Sequence, residues 1–90
     1  MYARRVRLDN ATGLHLRPAT VFMAAASSFR SAIHVLKNDH QADGKSALSL
    51  MLLEAGQGTE LLIQASGEDE VAAVEALADL VERRFDDAAG

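Results

Sequence analysis

The sequence contains no cysteine and no tryptophan, one proline, and aromatic residues at only 4 %. Without cysteine there is neither a disulfide framework nor a thiolate metal site. Few aromatics and a net charge of −4 argue against nucleic acid, which favours a basic face with stacking rings. Nearly half the residues are apolar, yet no apolar run approaches the ~20 residues that a membrane-spanning helix needs. The start, Met1-Tyr2-Ala3-Arg4-Arg5, leads into alternating charge, so neither a signal peptide nor membrane insertion is expected. A soluble, cytoplasmic, monomeric protein without cofactor or metal is the expectation. Residues 1–90 are expected to form one domain, large enough for a modest core.

Charge is unevenly spread. Arg4, Arg5, Arg7, Arg17, Arg30, Lys37 and Lys45 make the first half basic, while acidic residues dominate from residue 51 onward. The basic half is expected to favour an acidic partner. It also contains the most informative stretch, Gly13-Leu14-His15-Leu16-Arg17-Pro18-Ala19-Thr20. Gly13 permits a left-handed turn, and Pro18 suits the first turn of a helix, where a missing N–H costs nothing. His15 therefore belongs at or beside a helix N-cap, next to first-turn N–H groups and the positive end of the helix dipole. Arg17 adds a planar cation suited to phosphate. Neutral imidazole is a nucleophile, so this stretch sets one beside a resting place for a phosphoryl group. A capping or surface histidine would look the same in isolation.

The rest of the chain reads as alternating strands and helices. Tyr2 to Leu8 is a half-buried strand with Tyr2, Val6 and Leu8 on one face and Arg4 as a misfit. A helix is expected over Pro18–Phe29, with Val21, Phe22, Ala25, Ala26 and Phe29 inward. Leu16 and Thr20 fall on the side of His15. Strands follow at Ser31–Lys37 and His40–Asp43, joined through Asn38-Asp39 as a hairpin. His34 and His40 read as ordinary sheet or turn histidines, for their spacing matches no metal site.

Ser46 is a natural N-cap for a helix over Ala47–Glu54, with Leu50 and Leu53 inward. Ala47, Leu48 and Met51 form a second apolar stripe, read here as docking surface together with Leu16 and Thr20. Gly56 and Gly58 are expected to terminate that helix. Thr59–Ser66 is the fourth strand, with Leu61, Ile63 and Ala65 inward. The last helix, Glu70–Phe85, repeats Val71, Val74, Leu77, Ala78 and Val81, and Asp86 to Gly90 reads as a frayed tail. The order βαββαβα predicts an α+β domain, one antiparallel sheet with helices on one face.

Taken in order and spacing, four strings resemble the HPr family, the histidine-containing phosphocarriers of the bacterial sugar phosphotransferase system. They are Gly13–Ala19, Lys45-Ser46, Gln57-Gly58-Thr59 and Gly67-Glu68-Asp69-Glu70. The resemblance implies an open-faced β-sandwich of four antiparallel strands under three helices. It implies phosphorylation of His15 on ring Nδ1, with Arg17 and the Leu16 and Arg17 backbone amides steadying the phosphate. It further implies enzyme I as donor, a IIA component as acceptor, and Ser46 as the site of an HPr kinase/phosphorylase. Two positions depart from the family pattern: Leu16 replaces a small residue, and Ala47 is smaller than the usual Ile or Leu. A carrier must not trap its cargo, so a shallow anion site is expected, with catalysis left mainly to partners. Two other readings compete. One is a regulatory interaction module, nitrogen-related or kinase-linked; the other is a ferredoxin-like domain with a ligand cleft, where a convex patch is expected here.

Overall fold

The structure is a computed structural model that describes residues 1–86. Its elements are β1 (Tyr2–Arg7), α1 (Leu16–Ser27), β2 (Ala32–Lys37), β3 (His40–Asp43), α2 (Ala47–Met51), β4 (Glu60–Ser66) and α3 (Glu70–Glu82). A short 3₁₀ turn, Arg84–Asp86, follows. The four strands form one antiparallel sheet in the order β1-β4-β2-β3. The tail expected from Asp86 to Gly90 lies, from residue 87 on, outside the described residues.

Alternation decides which sheet face the helices cover. Val6, Ile33, Val35, Ala42, Leu61, Ile63 and Ala65 are all buried, each separated from the next in its strand by an outward residue. Phe22 and Ala26 of α1, Leu50 of α2, and Val74, Leu77, Ala78 and Val81 of α3 close over them. Val21, Ala25 and Phe29 are only partly buried against this core, whereas Ala19, Phe22 and Ala26 of the same helix are buried in it.

Arg4, the misfit of β1, stands in register with Ile63, and Ile63 with Val35, so it belongs to the inward row at the sheet edge. There α3 passes over it. The Arg4 guanidinium donates to Glu75 at 2.8 Å and reaches Glu82 at 3.3 Å. The Tyr2 hydroxyl donates to the other Glu75 oxygen at 2.8 Å, which pushes the phenol up from its ordinary value. A second polar clasp ties α3 to β2. The Asp69 carboxylate accepts from the Ser31 hydroxyl at 2.6 Å and from the Arg30 and Ser31 backbone N–H groups, both at 2.9 Å. Those donors, the Ser31 hydroxyl foremost, pull its pKa down to about 2.

Three expectations need correction. Val71 is 52 % exposed although it shares the stripe of α3. It stands in the first turn, where Cα–Cβ bonds lean back beyond the helix start, away from the core. Helix α3 also ends at Glu82 and not at Phe85, since Arg84 and Phe85 both take positive φ. Helix α2 stops three residues before Glu54. Leu53 and Glu54 donate to Leu50 and Met51, a tightening to three-residue spacing, and the left-handed residue that ends the run is Glu54 at φ 53°. Gly56 does not have positive φ; Gly58, at φ 88°, makes the following turn.

Candidate functional site

The loop after β1 is built to fix a backbone and release a side chain. Gly13 is left-handed at φ 62°, and the Asn10 side-chain amide donates to its carbonyl at 2.8 Å. Leu14 is buried, and its N–H donates to the Ala55 carbonyl at 2.9 Å. A Cβ on Gly13 would collide with that same carbonyl and with the Gly56 backbone, so only glycine permits the two loops to approach this closely. Pro18 and Ala19 are buried on the far side.

Between these anchors His15 is exposed and serves as the N-cap of α1, with extended backbone (φ −76°, ψ −176°). Its ring makes no capping hydrogen bond; its carbonyl accepts the Ala19 N–H at 2.9 Å. The imidazole is therefore held by its backbone and left available by its side chain. Helix α1 starts two residues earlier than its pattern suggested, so Leu16 and Arg17 supply the N–H groups of the first two positions. Pro18, third in the helix, supplies none.

Beside the ring lies a groove of about 360 Å³ lined by Thr12, Leu14, His15, Met51, Glu54, Ala55 and Gly56. The groove shares only Met51 with the docking residues read from the sequence. The concavity arises because the α2–β4 loop turns back at Glu54 and docks against Gly13 and Leu14. Met51 thus joins His15 in one site. Arg17 is exposed on the helix start and is not part of the groove lining.

Leu16 is 59 % and Leu48 67 % exposed, and Thr20 is exposed with its hydroxyl donating to the Leu16 carbonyl at 2.8 Å. Ala47 and Met51 are instead half-buried against the core. Leu52, 71 % exposed, belongs to neither stripe expected of α2, the inward Leu50 and Leu53 or the outward Ala47, Leu48 and Met51. Helices α1 and α2 pack side by side, so these exposed leucines belong to adjacent elements. Ser46 caps α2, its hydroxyl accepting the Ser49 N–H at 3.2 Å.

The basic half is less free than its charge suggested. The Lys45 ammonium donates to the Phe29 carbonyl at the end of α1 at 2.8 Å, and that of Lys37 to the Leu53 and Glu54 carbonyls at 3.0 and 3.2 Å. Both cations close helix ends, where carbonyls lack partners. Arg7 and Arg30 pair with Asp9 and Glu68, and Arg4 with α3. These five cations are thus engaged within the chain.

An open-faced sandwich with a bare histidine at the start of α1 defines a class, and the comparisons with known proteins give it its name: the chain belongs to the HPr family of phosphotransferase-system phosphocarriers. It matches the family described as the PTS HPr component phosphorylation site over residues 2–83. It is 39 % identical over 85 residues to the phosphocarrier protein HPr of Neisseria meningitidis serogroup A, covering 94 % of this chain and 96 % of that one. Among solved structures it resembles HPr-C-His from Thermoanaerobacter tengcongensis, with TM-score 0.93, 39 % identity, and coverage of 97 % and 98 %. It is also similar, with TM-score 0.76 and 37 % identity over 93 % of this chain and 97 % of the other, to Crh, the Bacillus subtilis catabolite repression protein, seen as a domain-swapped dimer. No helix among the described residues is long and apolar enough to cross a membrane.

Proposed function

We propose that this chain accepts a phosphoryl group on His15 from phosphorylated enzyme I and passes it to a IIA component. The observation that carries the reading is the exposed His15 ring on a pinned backbone at the start of α1. In the first transfer the lone pair of the neutral ring attacks phosphorus, and the bond from phosphorus to the donor breaks. In the second, the phosphorus–nitrogen bond breaks as the acceptor attacks, and the ring recovers its lone pair. The developing charge meets the N–H groups at the start of α1 and the Arg17 guanidinium, enough to orient a phosphoryl group without burying it. Among the described residues no lysine or arginine lines the groove, consistent with cargo that must leave. Leu16 and Leu48 offer apolar contact to partners, with Thr20, Ala47 and Met51 around them.

Reconstitution tests the hand-off. With enzyme I, phosphoenolpyruvate and a IIA component, the chain should carry phosphate to IIA, and His15→Ala should not. Transfer that survives His15→Ala would overturn the reading.

A second reading, regulation in place of transport, is favoured by the similarity to Crh and by Ser46 at a helix start beside the docking residues. On that reading an HPr kinase/phosphorylase modifies Ser46, and the phosphorylated chain binds a regulatory partner. Incubation with that kinase and ATP would label the wild type and not Ser46→Ala.

A further inference from the structure

Glu54 combines a strained backbone with a place in the His15 groove. Its φ of 53° lies in the left-handed region that disfavours any residue bearing a Cβ. The surroundings hold it there. Its N–H donates to the Met51 carbonyl at 3.0 Å, its carbonyl accepts from Lys37 at 3.2 Å, and the next carbonyl, that of Ala55, accepts from Leu14 at 2.9 Å. Glycine would occupy the position without steric cost, yet the chain places a carboxylate there. That carboxylate is exposed, lines the groove together with His15, and forms no ion pair with any described residue. The other lining residues, Thr12, Leu14, Met51, Ala55 and Gly56, carry no charge. A strained residue in a functional groove marks a side chain retained for what it does there.

We propose that Glu54 sets the phosphoryl-transfer potential of His15. Its carboxylate repels the phosphoryl dianion across the groove, which destabilises the phosphorylated form relative to the free imidazole. This inference rests on phosphoryl carriage by His15. A unit charge facing a near-dianion across a solvent-filled groove changes the equilibrium by about two- to tenfold at low ionic strength, and salt screens it.

The test is a competition for limiting phosphate. Isotopically labelled wild type and unlabelled Glu54→Gln are mixed in equal amounts with catalytic enzyme I and less than one equivalent of phosphoenolpyruvate. Enzyme I moves the phosphoryl group between them until equilibrium, so the final share reports stability of the phosphorylated forms and not docking rate. Intact-mass spectrometry reads each share. Glu54→Gln, near in shape and with the same backbone strain, should hold about two- to tenfold more phosphate at low salt, falling toward equality at high salt. Glu60→Gln, on β4 and outside the groove, should share equally with wild type. An equal share for Glu54→Gln at low salt, or a bias that salt leaves untouched, overturns the proposal while leaving carriage intact. If neither chain takes phosphate, carriage by His15 falls and this inference with it.

Discussion

The Leu14 N–H donates to the Ala55 carbonyl at 2.9 Å, joining the loop before α1 to the loop after α2 across 41 residues of sequence. That bond places the ring of His15 beside Met51 and Glu54. Gly13 makes the approach possible, because its left-handed backbone faces the same carbonyl with no Cβ.

Gly13→Ala should therefore damage both fold and site. The added methyl meets backbone, which cannot swing aside, and the left-handed conformation alone costs about 1–2 kcal/mol. A loss of more than about 2 kcal/mol in urea denaturation is expected, with slower phosphoryl acceptance by whatever protein remains folded. Stability within about 0.5 kcal/mol of wild type would show that the two loops do not depend on this contact.

Glu54 and Arg4 show what sequence alone could and could not reveal. Strand alternation, the Gly13–His15–Pro18 junction and the Ser46 cap are local, carried by a few adjacent residues, and they place the sheet and the histidine correctly. Arg4 breaks the alternation because its partners, Glu75 and Glu82, arrive from the other end of the chain. No local pattern contains them. At Glu54 the apolar period runs on through Leu53, and two nearby glycines compete as terminators, so the left-handed residue was not legible. The groove depends on that reversal, and with it was lost the carboxylate beside His15. Composition places Lys37 and Lys45 in the basic half, but the helix-end carbonyls that they close lie 16 or 17 residues away in sequence.

Glu54→Gly should stabilise the fold, since glycine takes φ 53° without the cost of a Cβ. The gain is limited to about 1 kcal/mol, because glycine also loosens the unfolded chain. A higher midpoint of thermal unfolding checks this; a lower one would mean that the Glu54 side chain contributes packing.

Asp69 sets an acid limit on stability. Its folded pKa is about 2 against an ordinary 3.8, so folding favours the ionised form. The stabilisation it provides is complete above pH 3.8 and is lost as pH falls through about 2. Asp69→Asn should remove that segment from the stability-versus-pH curve and lower stability at neutral pH. A variant whose curve between pH 2 and 4 matches wild type would contradict the clasp with Ser31.

Leu48→Glu should separate docking from folding. Leu48 is 67 % exposed, so stability should change by less than about 0.5 kcal/mol, whereas Met51, half-buried against the core, would confuse the two. The rate of phosphorylation by enzyme I should fall at least about fivefold if Leu48 stands at the centre of the contact. Ser46→Asp should likewise slow that rate without lowering the melting temperature, because a carboxylate can accept the Ser49 N–H as the hydroxyl does. An undiminished rate in Leu48→Glu would remove α2 from the docking surface.

The central claim, that His15 is the phosphoryl acceptor, is tested most directly by locating the phosphate. The chain is incubated with enzyme I and labelled phosphoenolpyruvate, and the product is digested and sequenced by mass spectrometry. The account predicts one label, lost in acid and kept in base, on the peptide containing His15 and absent from His15→Ala. Label on another residue, or acid-labile label retained in His15→Ala, would contradict it.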